Sequence, residues 1–77
     1  MSEGPYQVLL FDSVSAALLA EKILKKKGVP HKLIPIPRRL SSDCGVCIRI
    51  RESALHQALE SLEGRVKVSA THKLSQT

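Results

Sequence analysis

Aromatic residues are nearly absent from this chain. Its 77 residues include one tyrosine, Tyr6, one phenylalanine, Phe11, and no tryptophan. Apolar residues nevertheless make up 43% of the sequence, so the core must consist mainly of aliphatic side chains. A chain of this length supports one small domain, which we expect to fold alone.

Long hydrophobic runs are absent as well. No run approaches the ~20 apolar residues that a membrane-spanning helix needs, and the N-terminal MSEGPYQ lacks the basic and apolar regions of a signal peptide. We therefore expect a cytoplasmic protein with no membrane partner. In a reducing compartment, two cysteines are more typical of a catalytic, carrier or metal-binding pair than of a structural disulfide.

Acidic residues are fewer than basic ones, 7 against 12, which gives a net charge of +5. Much of this excess lies at the end of a predicted helix, where cations complement the helix dipole, at Lys25, Lys26 and Lys27. The charge therefore permits a polyanionic partner but does not require one.

Hydrophobic periodicity and turn residues predict six elements of secondary structure. Strand-like segments occupy 6–11, 31–37, 46–51 and 65–70. One helix follows the N-cap candidates Asp12 and Ser13 and ends before Gly28, and a second runs from Leu55 towards Gly64. The order β-α-β-β-α-β predicts an α+β, ferredoxin-like fold, in which both helices cover one face of a four-stranded antiparallel sheet.

These elements define the domain and its candidate core. We expect a single domain at 6–70, an N-terminal tail at 1–5 and a polar, frayed tail at 71–77. The second strand is expected at a sheet edge, because Pro35 and Pro37 lack backbone donors. The side chains expected to face the other layer are Ala16, Leu19, Ala20 and Ile23 in the first helix, flanked by Ala17 and Leu24, then Leu55, Ala58, Leu59 and Leu62 in the second, and Val46, Ile48, Ile50, Val66, Val68 and Ala70 in the strands.

Strand alternation predicts a basic face on the other side of the sheet. Its predicted members are Arg49, Arg51, Arg65 and Lys67. RNA-recognition domains of this fold stack bases on aromatic side chains of the third strand, whereas this third strand contains no ring. We therefore do not expect nucleic acid as a partner, and a solvated face or a homodimer contact through the sheet is favoured.

The segment PRRLSSDCGVCIRI, residues 37–50, contains both cysteines. A thiol becomes nucleophilic where cations or backbone N–H groups stabilise its thiolate. Arg38 and Arg39 precede Cys44 and could supply that charge, whereas the adjacent Asp43 opposes it. Residues suited to a turn that exposes amides are Ser41, Ser42 and Gly45. A reactive thiol, half a metal site and an ordinary turn all remain open on this evidence.

Cys47 follows Cys44 by three residues, and strand alternation places it on the open face of the sheet, away from the helices. In an extended chain their Cα atoms would lie ~10 Å apart, so a disulfide requires a bend near Gly45. A single C-x-x-C supplies two of the four ligands of a structural zinc site, which leaves a site shared by two chains as an alternative. The histidines do not fall at ligand spacing, and we predict no metal site within one chain and no cofactor.

The same segment resembles the selenium/sulfur (Se/S) carrier-like proteins, a family of small bacterial domains. The core of the resemblance is P-R-x-L-S-S-x-C-G at 37–45, and it extends from about Tyr6 to Arg51. Matching positions are Phe11, Ser13, Ala20, Glu21, Lys22, Gly28, Ile34, Pro35, Pro37, Arg38, Leu40, Ser41, Ser42, Cys44, Gly45 and Arg49. At position 47 the family pattern leads us to expect an apolar residue, and Cys47 departs from it.

The resemblance implies a carrier rather than a stand-alone enzyme. Cys44 would accept sulfur or selenium as a persulfide or perselenide, with Arg38 as its main electrostatic support and Cys47 as a candidate resolving thiol. The implied partners are a donor, such as a cysteine desulfurase or selenocysteine lyase, and an acceptor protein. The alternative is an interaction or regulatory module that dimerises through its sheet and binds zinc or iron through the two cysteines.

Overall fold

The structure is a computed structural model that describes residues 5–36 and 45–74. Its elements are β1 (Tyr6–Leu10), α1 (Val14–Lys27), β2 (Lys32–Pro35), β3 (Val46–Arg51), α2 (Leu55–Leu62) and β4 (Ala70–Leu74), with a 3₁₀ turn at Glu52–Ala54 before α2. The strands of this part of the chain form one antiparallel sheet in the order β2-β3-β1-β4. The predicted ferredoxin-like α+β arrangement is confirmed, and so is the position of β2 at an edge.

Helix α1 begins and ends where the sequence predicts. The Ser13 side chain accepts a hydrogen bond of 3.1 Å from the Ala16 backbone N–H, which satisfies one of the donors exposed at a helix N-terminus. Gly28 ends the helix with a φ of 76°, a left-handed conformation that glycine adopts without steric cost. The lysines of the last turn lie at the negative end of the helix dipole.

The main core lies between the helices and one face of the sheet. Its buried members are Leu9, Phe11, Ala17, Ala20, Leu24, Val29, Ile48, Ile50, Ala58 and Leu62. Most predicted core positions are therefore confirmed, but Leu19 is wrong, since 46% of this residue is exposed. The buried residues of α1 are the predicted Ala20 together with Ala17 and Leu24, which were expected only to flank the apolar face. The two alanines are small and let the helix pack closely on the sheet.

The second face of the sheet, which points away from the helices, carries its own apolar cluster. Val8, Leu10 and Cys47 are buried there. Partly buried side chains surround them, and these are Ile34, Ile36, Ala70 and Leu74. The prediction of a basic second face is therefore wrong in its extent: Arg49 and Arg51 belong to β3, but Arg65 and Lys67 lie outside the sheet.

The fourth strand lies later in the chain than its alternation predicts. Residues 65–69 form no strand, and the backbone N–H groups of Arg65 and Val66 donate to Leu62 O, which holds the segment against the end of α2. Pairing with β1 starts where Ser69 N–H donates to Leu10 O at 2.8 Å. Residues 71–74, predicted as part of a frayed tail, pair with β1 in register.

Two of the three apolar residues of the predicted fourth strand lie on the helix-facing side of the sheet, as predicted. Val66 and Val68 pack against the main core, whereas Ala70 belongs to the cluster on the second face. Among the described residues, no helix combines the length and the apolar composition that crossing a membrane requires.

Candidate functional site

The candidate cysteine site is flanked by the two strands of a hairpin. Strands β2 and β3 pair antiparallel, with Pro35 opposite Val46, and Ile36 N–H donates to Gly45 O at 3.2 Å. The sequence between these partners, residues 37–44, lies outside the described residues, and it contains Arg38, Arg39, Ser41, Ser42 and Cys44. The predicted roles of these five residues therefore stay predictions, and the structure describes the paired strands β2 and β3 on either side of them.

Gly45 is the first described residue after Cys44. It is exposed, and a Cβ built on it would meet no atom within 4 Å. Neither crowding nor a left-handed φ requires glycine here. The predicted role of Gly45 in the site stays a prediction, like the roles of the residues before it.

Cys47 lies on the predicted face of β3 but in a different environment from the one expected. It points away from the helices, as the alternation predicts, yet its exposed fraction is 0%. Its neighbours in the apolar cluster are Val8 and Leu10, and Ile34 is its cross-strand partner on β2. A thiol of another protein cannot contact Cys47 unless this side of the sheet opens locally.

Beside this cluster, the second face forms a small pocket that we call the basic pocket. It has a volume of about 200 Å³ and is lined by Tyr6, Pro30, His31, Lys32, Arg49 and Arg51. The guanidinium carbon of Arg49 lies 4.2 Å from the centre of the Tyr6 ring. Sequence reasoning placed Arg49 and Arg51 on a solvated face and missed the pocket, because Tyr6 and Lys32 join them only through the strand register.

The histidines of the described residues do not assemble a metal site. No group of three or more His, Cys, Asp or Glu side chains in 5–36 and 45–74 is arranged to hold a metal ion. His31 uses Nδ1 in a 2.8 Å hydrogen bond with Val29 O. His56 and Glu60 form a surface pair on α2, with 3.5 Å between Nε2 and Oε2. Both side chains of this pair are largely exposed.

Comparison with known proteins identifies one relationship. No curated protein and no solved structure matches the chain. The family described as "Putative Se/S carrier protein-like" matches residues 6–73, which extend from the first residue of β1 nearly to the end of β4. This match covers almost all of the described fold and confirms the resemblance found at the cysteine segment. The chain therefore belongs to the Se/S carrier protein-like family.

Proposed function

We propose that this protein is a cytoplasmic carrier of sulfur or selenium, with Cys44 as the acceptor thiol. Membership of the Se/S carrier protein-like family is the observation that carries the proposal. The pairing of β2 with β3 supports it. Cys44 directly precedes Gly45, which is exposed and accepts a hydrogen bond from Ile36 N–H where the two strands meet. A carrier thiol must meet a donor and then an acceptor, so it needs an accessible position.

The proposed transfer is a pair of thiol exchange steps. The Cys44 thiolate attacks the outer sulfur or selenium of a donor persulfide or perselenide, forms the new bond to it, and releases the donor cysteine as a thiolate. A nucleophile of the acceptor protein then attacks the same outer atom, and Cys44 leaves as a thiolate. Neither step consumes an oxidant or a reductant, and the carrier is regenerated.

The residues before Cys44 have supporting roles in this proposal. Arg38, with Arg39 as a secondary cation, stabilises the thiolate and the persulfide anion by its charge. Ser41 and Ser42 offer hydroxyl and backbone donors to the same anion. Gly45 lets the donor and acceptor approach the backbone without a side chain in the way.

Cys47 could act only inside the carrier. As a resolving thiolate it would attack the inner sulfur of the Cys44 persulfide, expel hydrosulfide and leave a Cys44–Cys47 disulfide, which a cellular thiol must then reduce. Its burial argues that this step needs a local opening. The alternative of a dimer through the sheet is not favoured, because Val8, Leu10 and Cys47 are already buried within a single chain.

Loading with a donor enzyme tests the carrier proposal. The purified protein is incubated with a cysteine desulfurase and cysteine, or with a selenocysteine lyase and selenocysteine, and its intact mass is measured without reductant. We expect the mass of one added sulfur or selenium atom, its loss with dithiothreitol, and no loading of Cys44→Ser. Cys47→Val should load to the same extent as the parent protein. Loading of Cys44→Ser equal to the parent would refute Cys44 as the acceptor.

A second test addresses Arg38. We expect Cys44 to react with iodoacetamide at a pH below that needed by a model thiol, and Arg38→Ala to slow the reaction at that pH, because the nearby cation stabilises the thiolate. Arg65→Ala is the matched control, since it removes the same charge from an exposed residue outside the sheet. Equal rates for Arg38→Ala and Arg65→Ala would remove Arg38 from the mechanism.

A further inference from the structure

The basic pocket combines three cations in a small space. Lys32, Arg49 and Arg51 line it together with Tyr6, Pro30 and His31, and none of these residues is acidic. The ion pairs of the described residues are made elsewhere, by His56 with Glu60 and by Lys73 with Glu52. No carboxylate of the described residues therefore forms an ion pair with the cations of the pocket.

Strand register brings these charges together. Lys32 of β2 lies directly opposite Arg49 of β3, and Arg51 follows two residues later on the same face. Like charges in directly opposed positions destabilise a sheet. A domain of this size has little stability in reserve, so a repulsive arrangement with no ion-pair partner among the described residues points to an anion in the pocket.

Arg49 supplies a second and independent observation. Its guanidinium carbon lies over the Tyr6 ring, 4.2 Å from the ring centre, which is a cation–π contact. Its Nε is buried and has no hydrogen-bond partner among the described residues. Buried donors without acceptors are rare in folded proteins, and each one needs a physical explanation. The charged guanidinium of Arg49, held against the Tyr6 ring, is a suitable group to bind an oxyanion.

We propose that the basic pocket binds a small tetrahedral oxyanion, either as the free ion or as the phosphoryl or sulfuryl group of a small molecule. Arg49 and Arg51 would donate hydrogen bonds to its oxygens, and Lys32 would contribute a third charge. The volume of about 200 Å³ suits a small anion rather than an extended chain. None of these residues belongs to the cysteine segment, so the inference does not depend on the proposed carrier function.

Binding is tested by thermal unfolding and by isothermal titration with sodium phosphate and sodium sulfate. Ionic strength is held constant with sodium chloride, because both anions also stabilise proteins non-specifically through exclusion from the surface. We expect a saturable rise in Tm and a titration that fits one site. A phosphomonoester such as ribose 5-phosphate is compared with phosphate. Tighter binding of the ester would identify the ligand of the pocket as a phosphorylated small molecule, and tighter binding of phosphate would identify it as the free ion.

Matched variants separate the pocket from general charge. Arg51→Gln should weaken the affinity about tenfold or more, as expected for loss of a hydrogen bond between charged groups. Arg65→Gln removes an equal charge from an exposed residue outside the sheet and should leave the affinity unchanged. Arg49→Lys keeps the charge but removes the guanidinium, and its affinity should fall as well. Circular dichroism checks that each variant is folded.

Four results would overturn this inference. The first is a Tm rise that grows with either anion without saturating. The second is an equal loss of affinity in Arg51→Gln and Arg65→Gln, which would indicate a diffuse effect of net charge. The third is binding of an acidic peptide, such as hexaglutamate, by a chain that binds neither phosphate nor sulfate, which would assign the pocket to a protein partner. A protein that loads sulfur on Cys44 yet binds no oxyanion would refute this inference alone.

Discussion

Cys47 occupies a position that a small apolar side chain could fill. Val8 and Leu10 are its buried neighbours, and Ile34 lies opposite it on β2. Cysteine behaves in such surroundings as a small hydrophobic residue. Packing and redox roles make different demands on this position, because only the redox role requires a sulfur atom.

Substitution of Cys47 therefore separates its two roles. Cys47→Val should change the free energy of unfolding by less than about 1.5 kcal/mol, because volume and apolar character are nearly kept. Cys47→Ser should cost about 1–3 kcal/mol, because a hydroxyl replaces the thiol in an apolar cluster. Urea unfolding measures both. Equal stability of the two variants would show that the serine hydroxyl is satisfied at this position, by a hydrogen-bond partner in the protein or by water.

The redox role is read from the same two variants by a different measurement. After loading of Cys44, hydrosulfide release is followed in the absence of any acceptor protein. If Cys47 resolves the persulfide, release should fall in both Cys47→Val and Cys47→Ser, whatever their stability. Unchanged release in both variants would leave Cys47 as a packing residue.

At the scale of elements, α1 is the helix whose ends are best defined. Ser13 caps its first turn, and Gly28 closes it in a left-handed conformation. Both ends rest on local chemistry that needs no partner from elsewhere in the chain. The contribution of such a cap can therefore be measured with a single substitution.

Ser13→Ala should lower the free energy of unfolding by about 1 kcal/mol, because it removes the acceptor for the Ala16 backbone N–H. Ser15→Ala is the matched control: it makes the same chemical change at an exposed position inside α1, where alanine favours the helix. Urea unfolding of both variants gives the difference. A loss in Ser15→Ala as large as that in Ser13→Ala would contradict a specific effect of the cap.

The elements differ in how far the sequence predicts them, for identifiable reasons. Helix α1 carries local start and stop signals, and β3 alternates strictly between its two faces, so its bounds at Val46–Arg51 agree with the prediction. Strand β4 has no such signal. Three of its five residues, Thr71, His72 and Lys73, are exposed, because an edge strand contacts little of the core. Its place follows from pairing with β1, which periodicity within one segment cannot reveal.

The functional residues divide in a similar way. The cysteine segment could be recognised from its own residues, because its motif is contiguous in the sequence. The basic pocket could not, since Tyr6, Lys32 and Arg49 come from three strands and meet only when the register is known. Alternation did place Arg49 and Arg51 on one face, and the missing information was which neighbours they would meet there.

At the scale of the whole molecule, the sheet supports two apolar clusters, and β4 helps to cover the smaller one. Ala70 and Leu74 pack against the buried residues of the second face, and β4 is the strand that pairs with the outer side of β1. A domain of 77 residues is expected to be stable by only about 4–12 kcal/mol, at ~0.05–0.15 kcal/mol per residue. The loss of one strand is therefore a large fraction of the total.

Truncation of the chain tests this view of β4. A chain ending at Ala70 keeps everything that the alternation assigned to the domain but loses the pairing of residues 71–74 with β1. We expect it to be largely unfolded or to self-associate, because Val8 and Leu10 would become exposed on an unpaired, apolar edge. A chain ending at Leu74 is the matched control, since it retains all of β4. Thermal unfolding and size-exclusion chromatography compare the two. If the chain ending at Ala70 were monomeric and unfolded at the same Tm as the control, β4 would contribute nothing to the fold, and the sheet would be complete with three strands.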